Sequence, residues 1–206
     1  MPVDFGGLRK DFNPEFELVL ESSAIKFHHM SLESVVRLES VFHDFELLKV
    51  LKPHAPLIAG TLPLGLGTEF SDLDIVVEAE GSELKSTLEG QIENLRVTIS
   101  ETRIDDQKAQ IINFDLNDLP VEIVAQNRPS HEQTAFRHFL IEERLLRIGG
   151  ETFRQKIKTL RAQGLKTEPA FAEALNLQGD AYYQLLALQK QSERELQKLF
   201  KKSDSN

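Results

Sequence analysis

No cysteine occurs in the 206 residues, and tryptophan is absent too. Without thiols there is no disulfide framework, no thiolate nucleophile, no cysteine-held zinc and no iron-sulfur cluster, so oxygen and nitrogen ligands must carry any chemistry. The same absence suits a reducing compartment. Long hydrophobic runs are missing as well. Charged residues interrupt every apolar stretch well before membrane-spanning length, and Asp4, Arg9, Lys10 and Asp11 stand where an apolar leader would be. These features predict a cytoplasmic protein that meets no membrane. There are no low-complexity segments and no internal repeats, and the length suits one domain, or one domain with a helical annex.

Positive charge is scarce: 24 Lys and Arg face 33 Asp and Glu, for a formal net charge of -9. A protein that coats nucleic acid needs a basic footprint, which this chain lacks overall. It also lacks a basic stripe interleaved with aromatics, the pattern that stacks single-stranded bases. The deficit is uneven, however. Residues 128–166 hold nine Lys or Arg against four acids, a local +5 that leaves -14 for the remainder. A solvated helix face is the ordinary explanation of such a run; contact with a phosphate-bearing ligand is the functional one.

Apolar spacing from Leu32 to Leu51 predicts a helix over 31–51, with Ser31 as N-cap and Pro53 and Pro56 as terminators. Strands are expected at 56–60 and 72–77 around a glycine-rich turn, then a surface helix at 82–95, then strands at 96–103, 109–116 and 121–126. Asn117, Asp118, Leu119 and Pro120 read as a four-residue turn, setting Leu116 opposite Val121 and Asp115 opposite Glu122. That register gathers Ile112, Phe114, Leu116, Val121 and Ile123 on an apolar face and leaves Asn113, Asp115, Glu122 and Gln126 on the other. After Pro129 the pattern is helical. Ser130 with Gln133 reads as a capping box for a helix to about Ile148 closed by Gly149 and Gly150, and Thr167 and Asp180 read as N-caps of two more helices. The expected class is α+β, with N-terminal helices and a mixed-sheet core over 1–128 and a helical region over 129–206 packed on it.

Chemistry concentrates in Ser71-Asp72-Leu73-Asp74-Ile75-Val76-Val77. Side chains alternate along a strand, so Asp72 and Asp74 share one face while Leu73, Ile75 and Val77 enter the core. Two aspartates that close repel each other, and a bound cation is the usual reason to keep them; two exposed acids at a sheet end are the plainer alternative. Hard oxygen donors suit magnesium or manganese. The preceding turn, Ala59-Gly60-Thr61-Leu62-Pro63-Leu64-Gly65-Leu66-Gly67, offers backbone amides and the Thr61 hydroxyl, which suit phosphate oxygens. It lacks the Gly-Lys-Ser/Thr ending of a P-loop, and no Gly-x-Gly-x-x-Gly opens a helix. Arg137 and Arg144, seven apart on one helix face, are the candidate phosphate holders of the basic segment. His131-Glu132 opens like a zinc-protease motif, but Ala135 stands where the second histidine belongs.

An apolar residue, Gly and a small hydroxyl residue, then ten residues and Asp-Leu-Asp-Ile, resembles the nucleotidyltransferase superfamily of the polymerase-beta type. The wider wording, Ala-Gly-Thr-Leu-Pro-Leu-Gly before Ser-Asp-Leu-Asp-Ile, with Val-Glu-Ile-Val-Ala-Gln, Phe-Arg-His and Gly-Leu-Lys-Thr-Glu-Pro-Ala-Phe-Ala, resembles the bacterial family known as domain of unknown function 4269. The resemblance spans roughly residues 50 to 190. It implies a nucleotidyltransferase-like core in which Asp72 and Asp74 take the two-metal positions and Glu122 the third carboxylate. Gly60 and Thr61, with Ser71 beside the aspartates, would contact the nucleotide. Two departures stand out: Thr61 where Gly or Ser is more usual, and Glu122 where Asp is. The implied activity is magnesium- or manganese-dependent transfer of a nucleoside monophosphate from a nucleoside triphosphate to a hydroxyl on a small molecule, tRNA or protein. A nucleotide-binding module without turnover and a metal-dependent phosphoester hydrolase are the alternatives.

Overall fold

The computed structural model describes residues 47–68, 71–93, 95–116 and 118–203. The helix expected over 31–51 appears by its end, α1 (Leu47–Leu51), followed by a 3-10 turn at Lys52–His54; its earlier part lies outside the described residues. Pro53 sits at the start of that turn, where a missing N–H is harmless, and Ala55 in a left-handed conformation turns the chain toward the sheet.

Among the described residues one five-stranded sheet forms, from β1 (Leu57–Ala59), β2 (Leu73–Glu78), β3 (Thr98–Ile104), β4 (Gln107–Leu116) and β5 (Leu119–Gln126). Its order is β1-β2-β5-β4-β3, with β2 and β5 parallel and the other pairs antiparallel. Together with its helices this is the expected α+β architecture. Period-two alternation explains the core: Ile58, Leu73, Ile75, Val121, Ile123, Ile112 and Phe114 share one buried face. Helix α2 (Gly81–Gln91) follows β2 and buries Leu84 and Leu88.

Both hairpins of the sheet turn more tightly than the sequence reading expects. The connection after β4 is two residues, not four, so Leu116 pairs with Leu119, Phe114 with Val121, and Asn113 with Glu122. Asp115 therefore lies opposite Pro120 rather than Glu122. Asp118 takes φ 62, the left-handed conformation that two-residue hairpin turns require and that aspartate tolerates better than most residues. The slip is an even number of residues, so the apolar face keeps the predicted membership. In the β3–β4 hairpin, Asp105 and Asp106 both take positive φ, and pairing continues to Ile104 with Gln107. Both strands thereby outrun their expected ends.

The chain divides into two compact units, Met1–Phe136 and Arg137–Asn206. The division falls inside α3 (Thr134–Ala162), whose regular path breaks at Gly150, at φ 66 and ψ -161. The two glycines thus end the first helical stretch as expected. The Ser130–Gln133 capping box does not form. Ser130–Glu132 is a short 3-10 turn, and the buried Gln133 instead donates its amide to the carbonyls of Val77, at 2.7 Å, and Arg128, at 3.1 Å. The remaining helices are α4 (Thr167–Ala174), α5 (Ala181–Leu188) and α6 (Glu193–Ser203). Asp180 caps α5 through the Tyr183 amide at 3.1 Å, as expected. Thr167 is the first residue of α4 rather than its cap, which is Lys166 without a side-chain bond. Among the described residues no helix is long and apolar enough to cross a membrane.

Candidate functional site

The turn from β1 to β2 is held from below by leucines. Leu62, Leu64 and Leu66 are almost wholly buried, and backbone bonds from Gly65 to the Leu62 carbonyl (3.0 Å) and from Leu66 to the Thr61 carbonyl (3.1 Å) close the loop. Ser71, itself buried, ties the far end: its hydroxyl accepts from the Thr68 amide at 2.9 Å and from the Thr61 hydroxyl at 3.5 Å. The turn is thus a packed object rather than a free loop, and Thr61 stays half-buried beside β2.

Beyond the turn lies a row of opposed residues. Ala59 pairs with Asp74, Asp74 with Glu122, Glu122 with Asn113, and Asn113 with Thr98, so one line crosses all five strands on the face opposite the apolar core. Asp72 precedes Asp74 by two residues at the mouth of β2, and all three acids are half-buried. Gly60, at φ 71, explains how Asp74 fits: a Cβ there would fall 1.6 Å from Asp74 Oδ2. Only glycine leaves that volume to the carboxylate.

Electrostatics link the acids. Burial first, and the charge of Asp72 second, push the Glu122 carboxyl above the ordinary glutamate range. The donors suit a hard divalent cation in chemistry and share a face, and the Gly60 cradle leaves Asp74 room to serve. Among the described residues no three His, Cys, Asp or Glu side chains form a ready-made metal-holding group. Asp74 and Glu122 stand opposite each other on adjacent strands, with Asp72 two residues before Asp74.

Of the expected site residues, Gly60, Thr61, Ser71, Asp72, Asp74 and Glu122 belong to the first unit, along β2, β5 and the turn between β1 and β2. Arg137 and Arg144 belong to the second unit. There the Arg137 guanidinium donates twice to Gln189 Oε1, at 3.0 and 3.1 Å, and the Gln189 amide returns a 2.6 Å bond to the Arg137 carbonyl. Arg137 thus already serves to join α3 to the end of α5. Asn113, which the register sets beside Glu122, escapes a sequence reading that pairs Glu122 with Asp115. The Asn117-Asp118 dipeptide, read as a two-residue turn, is the signal that would have found it.

The family defined as a domain of unknown function (DUF4269) matches residues 40–188. The chain belongs to that family. No curated protein matches it. Among solved structures, the GLD-2/RNP-8 complex is similar at 13% identity and a TM-score of 0.47, over 90% of this chain and 82% of that one. Cid1, described for its RNA terminal uridylyl transferase activity, is similar at 12% identity and a TM-score of 0.48, over 82% of this chain and 52% of that one. A cytoplasmic RNA terminal U-transferase matches at 14% identity and a TM-score of 0.47, over 86% of this chain and 51% of that one. The DUF4269 chain spans about half the length of the latter two.

Proposed function

We propose that this DUF4269 protein transfers a nucleoside monophosphate from a nucleoside triphosphate to a hydroxyl acceptor in the cytoplasm, with magnesium or manganese as its cation. The observation that supports this best is the pairing of Asp74 with Glu122 across adjacent parallel strands, with the bare Gly60 beside the Asp74 carboxylate. Asp72, Asp74 and Glu122 would hold the cation, which when bound neutralises charge on the phosphates and on the departing pyrophosphate. The amides around Gly60 and the Thr61 hydroxyl offer donors to phosphate oxygens on the β1–β2 side, and Ser71 keeps Thr61 in place. The acceptor oxygen attacks the α-phosphorus, a new P–O bond forms as the bond to pyrophosphate breaks, and the hydroxyl proton passes to solvent. The protein supplies position and charge, not a covalent intermediate.

A second reading, a nucleotide-binding module without turnover, is favoured by the acids not forming a ready-made metal-holding group. One experiment separates the two. Wild type, Asp74→Asn and Glu122→Gln are incubated with each labelled nucleoside triphosphate and magnesium, and pyrophosphate and labelled products are followed. Transfer requires pyrophosphate with a labelled acceptor, reduced about 100-fold or more in the variants. Nucleotide bound without turnover means the module, and free monophosphate without a labelled acceptor means hydrolysis. Melting curves add a check independent of turnover: magnesium should stabilise the wild type but not Asp74→Asn.

A further inference from the structure

β3 ends the sheet, and its outer edge has no neighbouring strand among the described residues. Along its 7 residues there is no proline, glycine or lysine, its pairing with β4 runs without a bulge, and all but Ile99 and Ile104 are exposed. Prolines, bulges and very short strands are how sheets blunt a free edge, and β3 uses none of them. Backbone parity fixes which residues face outward. Ile104 and Gln107 flank a two-residue turn, so they exchange both of their backbone bonds, and alternation commits Thr102, Ser100 and Thr98 to β4 in the same way. The N–H and C=O groups of Ile99, Glu101 and Arg103 therefore point along the open edge.

A second copy related by a two-fold axis meets this edge antiparallel, and only registers that set outward residues opposite one another form bonds. An axis through Glu101 would oppose the two Glu101 carboxylates, and an axis through Arg103 the two guanidiniums. An axis through Ser100 would set Glu101 against Ile99. An axis through Thr102 sets Glu101 of each copy opposite Arg103 of the other, each pair exchanging both backbone bonds and joining opposite charges. The single chain carries a matching defect. Arg103 stands directly opposite Lys108, a like-charge pair, and Lys108 is already tied to Glu101 at 3.0 Å. The Arg103 guanidinium donates to the Asp106 carbonyl, which brings no full negative charge. The Glu101 carboxylate of a second copy would bring one.

We propose that β3 is a self-pairing edge, and that two copies of this chain join antiparallel about Thr102 into one continuous sheet. This pairing stands whether or not the acid face turns over nucleotide. Sedimentation of the full chain tests it with a charge swap. Wild type dimerises; Glu101→Arg and Arg103→Glu each oppose like charges and raise the dimer Kd by about tenfold or more, and the double swap returns it to within about threefold of wild type. Oxidative crosslinking reads the register without relying on charge. The chain has no cysteine, so Thr102→Cys sets a lone thiol against its own copy. The Cα atoms there would be about 4.5 Å apart, within disulfide reach. In Ser100→Cys they would be about 13 Å apart, beyond it. Oxidation should join the first variant as a dimer and leave the second unjoined. Each variant is melted first, and if a swap fails to fold, the two cysteine variants decide alone. A wild type that stays monomeric, a dimer that neither single swap weakens, a double swap that stays weak, or a disulfide that forms at Ser100→Cys and not at Thr102→Cys would each overturn the proposal.

Discussion

At the scale of single residues the site is governed by what a buried carboxylate costs. Glu122 is shifted upward mainly by burial, so the folded protein holds its proton more tightly than the unfolded chain does. The stability this residue contributes is fully present below the unfolded glutamate range and is lost as pH rises through the folded value. Glu122→Gln removes that titration. In chelator, the variant should melt above the wild type at pH 7, and the gap should close as pH falls below about 4. Thermal melts from pH 3 to 8 check this; a gap that does not change with pH would show that Glu122 is not strained. Gly60 is a related case. Its sequence context marks a place of close approach, and the structure shows that what approaches is the protein's own Asp74.

At the scale of elements, several joints are made by side chains distant in sequence. The N-terminus of α2 is capped by Gln110 of β4, whose Oε1 accepts from the buried Gly81 amide at 2.6 Å. A Cβ at Gly81 would come within 2.6 Å of the Gln110 Cβ, so the glycine is what admits the strand side chain. Gln110→Ala leaves that amide without its acceptor, and a loss of about 1 to 3 kcal/mol is expected from the urea midpoint at unchanged m-value. The α6 cap, by contrast, is local and readable: Ser192 and Glu195 exchange bonds, with Glu195 Oε2 accepting from the Ser192 amide at 2.7 Å and the Ser192 hydroxyl accepting from the Glu195 amide at 3.3 Å. Ser-x-x-Glu is the sequence signature of a capping box. The Ser130–Gln133 pair has similar spacing and forms no such cap, because Gln133 instead donates to the buried Val77 carbonyl and the half-buried Arg128 carbonyl.

At the scale of the whole molecule, each of the two units is held by its own packing. In the second unit, Phe200 of α6 meets Phe153 of α3 edge to face at 4.8 Å, and Phe153 meets Phe171 of α4 at 5.7 Å. A Cβ at Gly149 would lie 2.4 Å from Phe200 Cε1, so the glycine beside the helix break opens the seat that α6 occupies. Phe200→Ala should cost about 2 kcal/mol, less than a fully buried phenylalanine because Phe200 is half-buried, and calorimetric melting would measure it. His138, buried on α3, is fixed by the Tyr182 carbonyl of α5 at 3.1 Å and by Glu168 of α4 at 3.5 Å.

Much of this was legible from the residues alone. Period-two alternation told the apolar face of the sheet from the acid face, Gly149-Gly150 marked the helix break, and Ser71-Asp72-Leu73-Asp74-Ile75 pointed to the family. All of these depend on neighbours within a few positions along the chain. Register does not. A hairpin slipped by two residues keeps every side chain on its face, so the hydrophobic pattern cannot distinguish Asp115 from Asn113 as the partner of Glu122. Only the left-handed turn at Asp118, closing the strands in three dimensions, decided that an amide and not a fourth carboxylate stands beside Glu122. The same holds for the Gln110 cap and the Asp74 carboxylate beside Gly60, which are contacts between elements that no local periodicity encodes.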